Sequence, residues 1–245
     1  MAVLEARQIA QSFEGEQIIK DVNITLNEGE IVCLVGSSGV GKSTLFHILS
    51  GLEKPDAGQV LLDGEDITGR PGKISYMLQK DLLLPHRTIL MNVSLPLIIR
   101  GMNRKEAKEK ARLMLPEFGL EGTEKKFPAQ LSGGMRQRAA LLRTYLFSDR
   151  VALLDEPFSA LDAITKGQMH SWYIRVMEKY KLSTLFVSHD IDEALKLSDR
   201  IYVMAGKPGR IVKEIVVDRK ELDRESFCLD SEFLLKKKEI LNYLG

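Results

Sequence analysis

The chain has 245 residues, with 35 Lys and Arg against 34 Asp and Glu, a net charge of +1, and 44% hydrophobic residues. This is the mix of a well-cored protein built as one large domain or one domain with a subdomain, and the near-neutral balance argues against a surface that wraps a polyanion. Cys33 and Cys228 lie too far apart in sequence to read as a disulfide framework or zinc site, which fits a reducing compartment. No run approaches the roughly 18–20 apolar residues of a membrane span. The first twenty residues, which include Glu5, Arg7, Glu14 and Glu16, show no signal-peptide pattern. The expectation is a chain that does not cross a membrane by itself.

In chain order, residues 3–9 and 18–26 read as short strands around the turn-prone Glu14-Gly15-Glu16. After the turn at 27–30, Ile31-Val32-Cys33-Leu34-Val35 is a continuous apolar run, which suits a strand buried on both faces of a parallel sheet. A Gly-rich loop follows, and residues 42–52 show helical spacing at Leu45, Ile48, Leu49 and Leu52. Residues 59–63, 151–154 and 184–188 are further strands, with helical stretches at 104–115 and 134–147. Strands alternating with helices predict an α/β core. The stretch 85–148, without a strand pattern, reads as a helical subdomain inserted between core segments at about 1–84 and 149–220. Residues 221–245 read as a charged extension, with Leu229, Phe233, Leu234, Ile240, Leu241 and Leu244 forming one side of an amphipathic helix.

Gly36-Ser37-Ser38-Gly39-Val40-Gly41-Lys42-Ser43-Thr44 satisfies G-x-x-x-x-G-K-[ST] between a buried strand and a helix. The glycines let successive amides turn inward onto phosphate oxygens, and the helix start adds a positive dipole end. Lys42 is expected to reach the β- and γ-phosphates of a nucleoside triphosphate, and Ser43 to offer its hydroxyl to Mg²⁺. The strand at 151–154 ends in Asp155-Glu156-Pro157. Asp155 is placed where such proteins set a metal-facing carboxylate, and Glu156 as the base that polarises water. Leu131-Ser132-Gly133-Gly134-Met135 opens a helix with Ser at the N-cap, a second anion-binding helix start. One nucleotide does not need two γ-phosphate sites. The expectation is therefore a dimer in which each chain's second site closes over the other's phosphate loop.

These motifs, taken in this order, resemble the ATP-binding cassette (ABC) family over nearly all of residues 1–220. The resemblance implies a P-loop NTPase (RecA-like) core with an N-terminal antiparallel β subdomain and the inserted helical one. It implies that Phe13 stacks on adenine, that Gln79 completes the Mg²⁺ shell and senses the γ-phosphate, and that Ser132, Gly133 and Gly134 are the signature acting in trans. It further implies that Ser159-Ala160-Leu161-Asp162 is the D-loop, with Asp162 working across the dimer, and that His189 is the switch histidine. Met135 stands where the family's signature usually has Gln. His47, His86 and His170 carry no assigned role.

Three functions fit a phosphate loop: the ATPase subunit of a membrane transporter, a soluble ABC ATPase acting on nucleic acid or ribosomes, and a small-metabolite kinase. A kinase has no use for the Ser-Gly-Gly signature. The single cassette, without a sustained heptad run, favours the transporter over the nucleic-acid alternative. The stretch 198–211, with Lys207-Pro208-Gly209-Arg210-Ile211, resembles bacterial importers of the nitrate, sulfonate and taurine group and their relatives that carry thiamine-pyrimidine precursors. The resemblance implies ATP and Mg²⁺ as cofactors and a second ATPase subunit, identical or not, as partner. It also implies a separate integral-membrane permease, a solute-binding protein acting indirectly, no nucleic acid, and a place on the cytoplasmic face of the cell membrane. Apolar residues at 82–85 and 89–99 are expected to leave an exposed docking patch that includes Leu83.

Overall fold

The computed structural model describes residues 1–148, 150–220 and 222–244. Residues 149, 221 and 245, which bound the expected subdivisions, lie outside the described residues. The chain opens with an antiparallel pair, β1 (Ala2–Phe13) and β2 (Glu16–Asn27), and then enters β3 (Ile31–Gly36) and α1 (Lys42–Leu49). β4 (Ala57–Leu62) and β5 (Glu65–Asp66) return to the first pair, and β6 (Ser75–Met77) leads to α2 (Ile89–Ile99), α3 (Arg104–Met114) and α4 (Gly133–Phe147). β7 (Val151–Asp155), α5 (Ala163–Tyr180), β8 (Ser183–Ser188), α6 (Ile191–Leu197), β9 (Arg200–Ala205) and β10 (Arg210–Val216) follow, and α7 (Arg224–Phe227) and α8 (Ser231–Leu244) close the chain.

The strands form two sheets, an antiparallel one ordered β2-β1-β4-β5 and a larger one ordered β10-β9-β3-β8-β7-β6. In the larger sheet β9, β3, β8, β7 and β6 run parallel, and β10 is antiparallel at one edge. Side chains alternate faces along a strand, and here the alternation divides two cores. Val32 and Leu34, Val151 and Leu153, Leu185 and Val187, and Tyr202 and Met204 join the side that carries α1 and the antiparallel sheet. Ile31, Cys33 and Val35, Ala152 and Leu154, Phe186, and Ile201 and Val203 join the helices on the other side. The next step of the β7 alternation turns Asp155 toward α1.

The architecture is the expected α/β core with an antiparallel sheet and a run of helices between β6 and β7. Four strands carry no sequence pattern of their own, among them the two-residue β5. β6 is only three residues long, and β9 and β10 form a hairpin around the segment 206–209, which sequence had marked only for its resemblance. α1 stops at Leu49, three residues early, because Gly51 turns into the left-handed region with φ +76°. In the tail only Phe233 and Ile240 of the expected apolar side are buried, while Leu229 is 91% exposed and Leu234 and Leu241 are open as well. Leu83 corrects another expectation. It is 7% exposed and packs in the helical-side core, while Leu82 and Leu84 on either side face out. No helix among the described residues is long and apolar enough to cross a membrane.

Leu34→Ala, at a fully buried site on β3, is expected to lower the unfolding free energy by about 2–5 kcal/mol, read by urea denaturation. Leu229→Ala in the exposed tail is expected to change it by no more than about 0.5 kcal/mol.

Candidate nucleotide site

β3 ends at the phosphate loop, and α1 begins on Gly41, whose φ of +107° only glycine adopts cheaply. No side chain caps that helix start and no acid lies in its first turn, so its amides remain available to an anion. Ser37, Ser38 and Gly39 are exposed along the loop, Val40 is buried beneath it, and Ser43 is exposed and Thr44 half-buried at the helix start. Lys42 folds back over the loop, and its Nζ donates to the carbonyls of Gly36 and Ser37, each at 2.8 Å. An ammonium has three N–H donors, so one is left for a phosphate oxygen. Burial pulls the Lys42 pKa below the usual lysine value, against the pull of the Glu156 and Asp155 carboxylates.

Two neighbouring strands deliver the acids and the histidine. Asp155 ends β7, and burial lifts its pKa above the ordinary aspartate value, partly offset by a hydrogen bond from the Tyr76 hydroxyl to Oδ2 at 3.3 Å. Glu156 follows with φ +46°, and its amide donates to the carbonyl of Val187 on β8. That strained backbone turns its side chain away from Asp155's face and into a cleft of about 760 Å³. There Gln79 Nε2 donates to Glu156 Oε2 at 2.9 Å, and His189 Nδ1, just beyond β8, stands 3.4 Å from the same oxygen. Among the described residues nothing else bonds to that carboxylate, so Oε1 is open to a water. Asp155, Ser43 and Gln79 are oxygen donors of the hard kind that suits Mg²⁺, so the side chains fit the expected cation.

The signature lies elsewhere in the chain. Ser132 caps α4, its Oγ accepting from Met135 N at 3.3 Å, and neither Ser132 nor Phe13 lines the Glu156 cleft. Gly133 is half-buried, whereas Gly134 is buried: a Cβ there would stand 3.1 Å from Thr165 Cγ2 on α5. The absence of a side chain at Gly134 thus lets α4 and α5 pack closely. Phe13, at the end of β1, is 42% exposed and able to offer a ring face. Asp162 caps α5 through Thr165 N at 3.0 Å, and hydrogen bonding from the Thr165 hydroxyl, with that amide second, holds its carboxyl below the usual range.

Sequence reasoning had left other residues around the site without a role. Tyr76 sits on a strand too short to register. On α5, Lys166 Nζ bridges Asp190 at 2.8 Å and Glu193 at 3.0 Å, and buried His170 meets Glu193 at 3.1 Å. This cluster anchors the segment after His189. Gly209 is held between β2 and the phosphate loop: its amide donates to Ile18 O at 2.8 Å, and its carbonyl accepts from Lys20 N at 3.0 Å. A Cβ on Gly209 would lie 2.0 Å from Val40 O. The Pro208-Gly209 turn is a brace for the loop, a role visible only once β9 and β10 are seen to flank it.

A buried strand running into a glycine loop over a helix start, beside a second strand ending in Asp-Glu and a third ending at His, defines an ATP-binding cassette. The comparisons place it: residues 19–159, more than half of the sequence, match the ABC transporter family, and the chain belongs to that family. It is 50% identical over 200 residues to the formylaminopyrimidine import ATP-binding protein ThiZ of Halalkalibacterium halodurans, covering 82% of this chain and 78% of that one. It is 36% identical over 219 residues to the nitrate import ATP-binding protein NrtD of Synechocystis, covering 88% and 82%. Among solved structures it is similar to an ATP-binding cassette seen as a dimer in a post-hydrolysis state with ADP and Pi, with a TM-score of 0.74, 29% identity, and coverage of 88% of this chain and 99% of that one. These relatives agree with the importer group that the sequence resembles and lend the nucleic-acid alternative no support. The chain is an ABC ATPase.

Gly209→Ala should push the Val40 carbonyl out of line and weaken ATP binding at least about tenfold, equivalent to about 1.4 kcal/mol, in a fluorescent-nucleotide titration. Gly167→Ala, in open space within α5, should leave nucleotide affinity unchanged.

Proposed function

We propose that the chain powers solute import as the ATP-hydrolysing subunit of a transporter whose membrane-spanning permease is a separate chain. The convergence of Gln79 and His189 on one oxygen of Glu156 supports the hydrolytic part of this reading, and the similarity to import ATP-binding proteins supports the rest. On this proposal the unit is a single ATP-binding domain, with residues 85–148 as its helical part and 221–245 as an extension. Phe13 stacks on adenine, and the amides of Gly36, Ser37, Ser38, Gly39, Val40 and Gly41 hold the phosphates together with Lys42, Ser43 and Thr44. Ser43, Gln79 and Asp155 would hold Mg²⁺, which would supply charge neutralisation for the phosphates.

Glu156 orients the attacking water and takes its proton at Oε1, and His189 and Gln79 hold the opposite carboxylate oxygen. Ser132, Gly133 and Gly134 serve the nucleotide of a second subunit, identical or related, and Asp162 works across the same interface. Within one chain the signature does not reach the Glu156 cleft, which supports the two-chain arrangement. The relatives named for import of formylaminopyrimidine and nitrate support a permease partner, an indirect solute-binding protein, and residence on the cytoplasmic face of the membrane.

The docking patch that we propose for the permease is a groove of about 450 Å³ between the core and the helices. Leu52, Leu78, Leu95, Pro96, Ile99 and Phe147 line it. It replaces Leu83, which is core, as the place for a cytoplasmic permease helix.

Glu156→Gln should keep ATP binding while slowing hydrolysis about 10²–10⁴-fold, so that ATP traps a dimer on size-exclusion chromatography. Ser132→Arg, placed in the same background, should abolish the trapped dimer. A Glu156→Gln protein that stays monomeric with ATP would contradict the two-chain site.

Ile99 is 71% exposed, so Ile99→Glu should change stability by only about 0.5 kcal/mol. Covered by an apolar permease helix, the same carboxylate would be desolvated at a cost of several kcal/mol, on the order of a lost assembly. The isolated subunit should hydrolyse ATP normally and fail to co-purify with its permease from detergent; unimpaired co-purification would place the docking surface elsewhere.

A further inference from the structure

We propose that Tyr76 is a positioning residue for Asp155: its hydroxyl fixes one carboxylate oxygen and so selects the other to face the divalent cation. β6 and β7 pair in parallel with Tyr76 opposite Leu153, and both strands end within two residues of that pair. Strand alternation puts Tyr76, Leu153 and Asp155 on the α1 side of the sheet. From there the Tyr76 hydroxyl donates to Asp155 Oδ2 at 3.3 Å.

The ring has little freedom to move away. It meets Phe46 edge-on at 6.0 Å and His47 at 5.9 Å, both on α1, the helix that also carries Ser43. One side chain thus spans the metal-facing acid and the helix that bears the metal-facing hydroxyl. A carboxylate at a strand end has a broad torsion about its last bond, so an unrestrained Asp155 would offer either oxygen in a spread of directions. A donor locked onto Oδ2 narrows that spread and leaves Oδ1 as the ligand, the part that outer hydrogen bonds play around metal-binding groups. Phenylalanine would fill the same space between Phe46, His47 and the sheet. Only the hydroxyl distinguishes tyrosine here, and among the described residues its one hydrogen-bond partner is Asp155.

The inference rests on the proposed role of Asp155 toward the metal. The test is therefore a Mn²⁺ titration, followed by electron paramagnetic resonance in the presence of ADP, on the full chain and two variants. Tyr76→Phe is expected to bind Mn²⁺ about 10–100-fold more weakly than the native chain while binding ADP normally in EDTA. Native Mn²⁺ affinity in Tyr76→Phe, with Asp155→Asn defective, would overturn the role of Tyr76 and leave the metal site standing. An equal loss of metal-free ADP affinity in Tyr76→Phe would also overturn it, because the ring would then be shaping α1 and the loop instead of the carboxylate. Native Mn²⁺ affinity in Asp155→Asn would remove the metal reading of Asp155 itself, and the inference with it.

Discussion

The arrangement depends on a parallel sheet buried on both faces. β3, β8 and β7 lie side by side, and all three carry apolar side chains to both cores. Their carboxyl ends emerge at one edge, so whatever follows each strand gathers there: the phosphate loop after β3, His189 after β8, and Asp155 and Glu156 at the end of β7. Ligand sites at the carboxyl ends of such strands are a general property of open α/β sheets. This grouping needs no long loops. It needs three strands held in register, and the ladder supplies that, pairing Val35 with Ser188 and Asp155 with Val187.

Adjacent acids on one strand acquire different work through the same geometry. Asp155 continues the alternation and faces α1, partly buried, beside a tyrosine hydroxyl. Glu156 leaves the strand with a positive φ and enters the cleft of Gln79 and His189. The backbone strain at Glu156 separates the two carboxylates, and non-glycine residues held in such conformations cluster at functional sites.

Much of this was legible in the sequence because the motifs are local. The apolar run 31–35, the glycine loop, the Asp155-Glu156 pair and the Ser132 cap each announce their conformation within a few residues. The antiparallel strands β1, β2 and β4 and the positions of α1, α3 and α4 could be read from the residue pattern. Contacts between distant segments were not legible. β6 is too short to show a period, so Tyr76 could not be connected to Asp155. Gly209 looked like an ordinary turn glycine, since nothing local reveals the Val40 carbonyl against it. Leu83 sits between two exposed leucines, and its burial depends on how the loop after Gln79 packs beneath the helices. Lys166, His170 and Glu193 are polar residues on helices, where a solvated face is the usual expectation, and only the fold shows them meeting.

The first turns of α5 touch both functional ends of the molecule. Thr165 backs Gly134 at the start of the signature helix, and one residue later Lys166 grips Asp190 and Glu193 behind His189. These neighbours work as a yoke, with the signature helix seated on one arm and the histidine segment tethered to the other. In a head-to-tail pair, one arm would serve a subunit's own nucleotide and the other its partner's. One short stretch of helix would then brace both half-sites, and a substitution there would be felt at two nucleotides rather than one.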